Sequence, residues 1–283
     1  MEYINHKGIK IPFIGFGTYK LGDNENKIKD SIDTFKYGID NYQMTLIDTA
    51  EMYGDGISEK IVSKIINNYD RDKLFIVDKI LPSNASKGLY IESCKRSLSN
   101  IGLDYFDLYL LHWRGNVDLQ DMVNNMELLV SMGLIKHWGV SNFDTDDMIE
   151  LFKCKNGNNC FCNQILYNIG TRGIEYDLIP WCKCHNVLVM AYSPLCNSFT
   201  DRLKYTTDKT VIEVSKKENK TPESLMLSFV IRNRNLVTIF MTSNIDHLIN
   251  NMTNVFEFIS DDNLLKLSKK YKAPKYKVEL EKI

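Results

Sequence analysis

"DLYLLHW", residues 107–113, is an apolar run that ends on an imidazole and an indole. No polar residue alternates with Leu108, Tyr109, Leu110 and Leu111, so the run reads as a strand covered on both faces. A histidine is costly to bury alone, so His112 marks the point where that strand meets something polar. Seven other runs have the same character: "PFIGFGT", "TLIDTA", "LFIVDKI", "IKHWGVSN", "FCNQILY", "VLVMAYS" and "LVTIFMT". Segments of helical spacing separate them, among them "ENKIKDSIDTFKYGID", "GISEKIVSKIINNY", "LYIESCKRSLSNIG" and "VDLQDMVNNMELLVSMG". Apolar strands that alternate with helices form a parallel sheet covered by those helices. Eight such units without a break predict a closed (β/α)8 barrel, the TIM-barrel architecture, as a single domain over residues 1–283.

The flanking signals agree with these cuts. "YINHKGIKI" predicts an N-terminal β-hairpin that turns at Lys7-Gly8 and is placed to plug the barrel's amino-terminal end. Asp144 and Thr145 precede the helical "DDMIELF", and in "TPESLMLSF" Thr221 is a cap with Pro222 at the first helical position. A doubly wound nucleotide fold needs a G-x-G-x-x-G turn after its first strand. Gly15, Gly17 and Gly22 miss that spacing by two residues.

Thirty-five Lys and Arg against thirty-six Asp and Glu leave a formal net charge of -1, which offers no electrostatic case for nucleic acid or an anionic membrane. A small molecule is the expected partner. "MEYINHKGIKIP" lacks the apolar stretch of a signal peptide, and no window reaches the roughly 18 apolar residues of a membrane helix, so a cytoplasmic protein is expected. Seven cysteines are scattered along a chain too large to need staples, which fits reduced thiols. Cys160 and Cys162, like Cys182 and Cys184, are spaced too closely for a zinc pair, and no metal is expected.

In a barrel of this kind, chemistry sits at the carboxyl ends of the strands and in the loops after them. Asp48 ends the second run, Tyr53 follows in its loop, Lys79 ends the third run and His112 the fourth. Singly, each has an ordinary structural reading as a cap, a core edge or a satisfied core histidine. Together they bring an acid, a base and an imidazole from three neighbouring strands to one rim. Proton donation to a carbonyl oxygen suits this set. A phenol ionises near pH 10, and a nearby ammonium lowers that value. Lys79 supplies the ammonium, Asp48 fixes it, His112 donates to the substrate oxygen, and Tyr53 serves as acid in reduction and base in oxidation. Carbonyl reduction also needs a hydride, which no side chain provides and a nicotinamide does.

These residues resemble the aldo-keto reductase family, in which an Asp on the second strand stands in a D-T-A-x-x-Y-G pattern, with a Lys on the third strand and a His on the fourth. Here the pattern reads "DTAEMYG", followed by "DKI" and "LHW"; "GVSNF" (139–143) and "NQILYN" (163–168) extend the match over roughly residues 8–253. "RGIEYDLIPWC" and "MAYSPL" are similar to short bacterial-type members, some of which reduce methylglyoxal and other small aldehydes. The resemblance implies that Ser141, Asn142 and Gln164 hold the nicotinamide carboxamide and that Tyr192 stacks on its ring. It assigns Gly17, Thr18 and Asp48 to the cofactor as well, with Ser193 and Leu195 in a loop over the pyrophosphate. In that loop Cys196 stands where members often have Gly, and Arg202 follows as a phosphate partner.

After the eighth run the family's usual Lys and Arg grip the 2′-phosphate of NADPH. This chain has Met241 and His247 there. Thr242, Ser243, Asn244 and the helix start that follows, with Asn251 further along, still offer hydroxyl, amide and backbone donors. NADPH is therefore the first expectation, at weakened preference, with NADH admitted by the two exchanges. Tyr19, Met52 and Trp113 are expected to line the substrate rim beside His112. The short tail "KAPKYKVELEKI" predicts an open site for small carbonyl substrates, in a monomer or weak homo-oligomer. Two other readings are set against this one. The same barrel serves as a cofactor-binding redox sensor or regulatory subunit with little turnover. A metal-dependent hydrolase would use Asp48, Glu51 and His112, but it leaves the Lys79 ammonium amid the ligands.

Overall fold

A computed structural model describes residues 1–282. Two short strands, β1 (Tyr3–His6) and β2 (Ile9–Pro12), pair antiparallel, with His6 opposite Ile9. Lys7 and Gly8 both have positive φ, 49° and 84°, the backbone of a tight two-residue hairpin turn. Eight parallel strands follow: β3 (Ile14–Gly17), β4 (Leu46–Asp48), β5 (Phe75–Ile80), β6 (Phe106–Leu111), β7 (Ile135–Ser141), β8 (Cys162–Leu166), β9 (Leu188–Tyr192) and β10 (Leu236–Phe240). β10 pairs with β3 and closes the barrel, and each expected run coincides with one of these strands to within a residue or two at its ends.

The strands are buried on both faces because their residues divide between two cores. Leu46, Val77, Leu108, Leu110, Cys162, Met190, Val237 and Ile239 form one cluster, the barrel interior. Ile47, Ile76, Tyr109, Leu111 and Val189, their immediate neighbours in sequence, belong to the layer between sheet and helices. This is the strand period of two with both faces apolar, and it explains why no alternation is visible in the sequence. The hairpin contributes Ile11 to the interior cluster, with Ile4 and Ile9 packed against it, so it plugs that end of the barrel. At Gly139 a Cβ would lie 2.3 Å from the Cys162 carbonyl oxygen, which ties the close approach of β7 and β8 to glycine.

Helices wrap the outside. On the helix Ile28–Tyr42, Phe35 stacks on Phe16 of β3 with ring centroids 4.0 Å apart. The helix Thr145–Lys153 begins with the expected Asp144 cap in reciprocal form: Asp147 N–H donates to Asp144 at 2.8 Å, and Asp144 N–H donates to Asp147 at 3.2 Å. Thr221 caps Pro222–Ile231 through the Ser224 N–H. Among the described residues no helix is long and apolar enough to cross a membrane.

Candidate active site

Along each barrel strand the inward positions recur at every second residue, and the last of them reaches the carboxyl-end rim. Phe75 and Val77 point inward on β5, so Lys79 does too; Leu108 and Leu110 do so on β6, and His112 continues the series. Leu46 precedes Asp48 on β4 in the same way, Cys162 precedes Gln164 on β8, and Met190 precedes Tyr192 on β9. One backbone periodicity therefore collects these side chains at a single mouth.

At its centre Lys79, fully buried, donates to Asp48 Oδ2 at 2.7 Å, to the Thr49 carbonyl at 2.8 Å and to the Tyr53 hydroxyl at 3.4 Å. The Tyr53 loop is pinned by Tyr53 N–H on the Ala50 carbonyl and Ser58 N–H on the Tyr53 carbonyl, while Ser58 Oγ reaches the Thr18 carbonyl. Burial alone lowers the Lys79 ammonium, but Asp48, Tyr53 and Asp78 outweigh it and hold Lys79 above its ordinary value. Burial raises the Asp48 carboxyl against the pull of Lys79 and Gln164. At 2.7 Å, with Gln164 Nε2 donating to the other carboxylate oxygen at 2.6 Å, we assign the pair as ionic at neutral pH.

The expectation that Lys79 leaves Tyr53 with a lowered pKa is corrected here. Burial raises the phenol by more than Lys79 lowers it, and the Asp48 charge cancels part of the ammonium's field. Tyr53 is thus a protonated phenol held beside a cation. His112 is neutral: burial, then Lys79, brings its ionisation down to about 3. Its Nδ1 is buried without a partner, whereas Nε2 is not. A buried unpaired N–H is rarer than an unpaired acceptor, so the proton belongs on Nε2, where it can donate into the cavity. The Tyr53 and His112 rings meet edge-on at 5.7 Å.

The cavity, about 610 Å³, runs from this group along β7, β8 and β9. Gly17, Thr18, Ser141, Asn142, Gln164, Tyr192, Ser193 and Leu195 all line it. Asn142 has a left-handed φ of 58°; its amide donates to the His112 carbonyl and accepts from the Tyr192 hydroxyl at 2.8 Å. Ser193 and Cys196 also have positive φ, 51° and 66°, and Asn168 donates to the Ser193 carbonyl at 3.2 Å. The loop after β9 is thus held in a fixed curl, with Cys196 in the conformation that glycine adopts most easily. Tyr19, Met52 and Trp113 form an exposed apolar rim, and Tyr19 packs edge-on to Tyr53 at 5.4 Å.

Thr242, Ser243, Asn244, His247 and Asn251 do not line this cavity. Thr242, Ser243, Asn244 and His247 surround the start of the helix Ile245–Met252, where Asn244 caps the His247 N–H at 3.0 Å, and Asn251 lies buried in that helix's last turn. Met241, next inward after Ile239, links the two regions and lines the cavity. Glu51 turns away from the site toward Leu81 N–H, Asn84 and Arg96, so it does not join Asp48 and His112 as the hydrolase reading requires. Among the described residues no group of three His, Cys, Asp or Glu is placed to hold a metal ion, and the cysteines are unpaired thiols. Lys20, Phe199 and Lys282 line the cavity without having been singled out from the sequence. Lys282 comes from the short tail, which contacts far apart in sequence bring back over the barrel.

The profile of the Aldo/keto reductase family matches residues 13–271, further toward the carboxyl end than the motifs alone. The chain is 38% identical to "Methylglyoxal reductase YeaE" of Escherichia coli over 275 residues, 97% of this chain and 96% of that protein. It is similar to the crystal structure of an aldo-keto reductase from Klebsiella pneumoniae in complex with NADPH, with TM-score 0.95, 36% identity, and 100% and 99% of the two chains covered. The thermostable aldo-keto reductase Tm1743, solved with the inhibitor epalrestat, superimposes with TM-score 0.85 at 30% identity over 95% of this chain and 99% of that one. On the closed barrel, the rim geometry and a family match along nearly its whole length, the chain belongs to the aldo/keto reductase family.

Proposed function

We propose that this protein reduces small aldehydes and ketones to alcohols with a nicotinamide cofactor, NADPH before NADH, working as a single domain and as a monomer or weak homo-oligomer. The observation that carries the reading is the Lys79 ammonium 2.7 Å from Asp48 and 3.4 Å from the Tyr53 hydroxyl, with neutral His112 on the same wall. The relative named as a methylglyoxal reductase and the neighbour solved with NADPH support it.

The residues present fit such a cofactor. Ser141, Asn142 and Gln164 line one wall with donors and acceptors matched to a carboxamide, and Tyr192 offers an aromatic face beside them. Ser193, Leu195 and Arg202 line the wall where its phosphates would be held, and Gly17 and Thr18 line the same cavity. Thr242, Ser243, Asn244, His247 and Asn251 serve the adenosine end, with donors but no lysine. When bound, the nicotinamide supplies the hydride. The chain's own residues do the rest: His112 Nε2 and the Tyr53 hydroxyl hold the substrate oxygen, and Tyr53 gives it a proton. Lys79 stabilises the phenolate that forms, and Asp48 with Gln164 keeps Lys79 in place. Tyr19, Met52 and Trp113 exclude water from the substrate side.

Fluorescence titration with NADPH and NADH in parallel, followed by addition of methylglyoxal, tests the reading. Binding of both, tighter for NADPH, with loss of nicotinamide absorbance on adding aldehyde is the expected outcome. Met241→Lys should raise NADPH affinity about tenfold and leave NADH unchanged, as one charge-assisted contact allows. Failure to bind either cofactor contradicts the proposal, and binding without turnover across aldehydes favours a sensor.

A further inference from the structure

The tail after the helix Asp261–Lys270 has no regular secondary structure, yet five contacts fix its course. Arg172 donates to the Tyr271 carbonyl, and Lys277 pairs with Asp146 at 2.5 Å. Val278 lies on Gly173, where a Cβ would come within 2.7 Å of it. Leu280 packs against the outer core, and Thr171 Oγ1 donates to Glu281 at 3.4 Å. These partners follow β7 and β8, so the tail crosses the carboxyl-end face of the barrel. It delivers Lys282 to the cavity wall.

The charges on that wall are one-sided. Among the described residues Asp48 is its only acid and Lys79 neutralises it, whereas Lys20, Arg202 and Lys282 are all cations. Among the described residues none of the three lies within ion-pair distance of a carboxylate. Lys20 stands over the Tyr19 ring at 5.3 Å and Arg202 over Phe199 at 5.6 Å. Arg202 follows the curled loop after β9, on the side given to the cofactor phosphates. Lys282 reaches the wall from the side of the loops after β7 and β8, where Asp146 and Thr171 hold its tail. A cation thus stands on the wall of the cavity that also holds Tyr53 and His112.

We propose that the enzyme prefers carbonyl substrates with a carboxylate or phosphate remote from the carbonyl, and that Lys282 receives this group. The proposal rests on the reductase reading above and names its substrate class. A contact so far from the reacting carbon is equal in ground state and transition state, so it acts through KM rather than kcat. Because Lys282 is exposed, the gain is moderate and salt screens it.

The test compares substrates that differ in charge: 4-carboxybenzaldehyde against its methyl ester, and glyceraldehyde 3-phosphate against glyceraldehyde. For wild type, Lys282→Met and Lys282→Arg, the anionic-to-neutral ratio of kcat/KM is measured at low and high salt. The ratio is expected to fall about three- to tenfold in Lys282→Met, through KM, and to recover in Lys282→Arg, as removal of one partly exposed ion pair predicts. It should shrink in wild type as salt rises. A fall confined to one substrate pair supports the proposal and identifies the anion. A ratio equal in all three proteins overturns the proposal while leaving the reductase reading intact; no turnover of any of these aldehydes overturns both.

Discussion

Neutral His112 and protonated Tyr53 give the site a defined pH behaviour. With His112 ionising at about 3, its charge does not change between mildly acidic and mildly alkaline pH. Tyr53 is raised, chiefly by burial, so it keeps its proton through the ordinary tyrosine value of about 10. For reduction, kcat/KM should therefore be flat from about pH 5 to pH 9 and fall only at higher pH. A limb near pH 6.5, the ordinary histidine value, would contradict the neutral imidazole. Oxidation needs Tyr53 as base, and the same raised value disfavours it at neutral pH. The identities of these residues were readable from their places at the ends of apolar runs. The sign of the Tyr53 shift was not, because it depends on how much water the closed mouth excludes and on a buried Asp48 charge behind Lys79.

At the scale of elements, β5 carries two demands on adjacent residues. Lys79 faces the barrel interior, while Asp78 faces the helices and is fully buried, with Oδ1 accepting from Lys79 N–H at 2.7 Å. Its Oδ2 and the Oε1 of Glu59, on the helix Ile57–Ile66, are both buried without another partner. Burial, then the Glu59 charge, pushes the Asp78 carboxyl well above the usual carboxylate range. A carboxyl raised on folding contributes stability that is present below its unfolded pKa and lost as pH rises through the folded value. Asp78→Asn keeps the acceptor for Lys79 N–H and removes the titration. Its urea midpoint relative to wild type should climb as pH rises from about 5 to 9, by about 1–3 kcal/mol of stability in all. A difference constant with pH would show that the Asp78 carboxyl is ionised in the folded protein as it is in the unfolded chain, and so is not raised on folding. The strands themselves were legible because an eight-fold alternation of apolar runs and amphipathic helices admits few arrangements. Pro222–Ile231 was legible only by its cap: it is buried almost all round, so it lacks an apolar stripe.

For the molecule as a whole, closure of β10 on β3 brings eight strand ends to one mouth, and chain order alone was enough to expect this. Chain order did not tell that the tail returns over that mouth. Its course depends on Arg172, Gly173 and Asp146, about a hundred residues upstream, and no local pattern in "KAPKYKVELEKI" announces them. After the eighth run the sequence shows Met241 and His247 where the family's usual pattern has Lys and Arg, and Thr242, Ser243 and Asn244 beside them carry hydroxyl and amide groups but no cation. The central claim remains hydride transfer to a carbonyl protonated by Tyr53. It is tested most directly by single-turnover loss of nicotinamide absorbance, with wild type and Tyr53→Phe each preloaded with NADPH and mixed with methylglyoxal. The account predicts equal cofactor binding by the two proteins and a rate at least about a hundredfold lower in Tyr53→Phe, the loss expected for a general acid. Equal rates would contradict it.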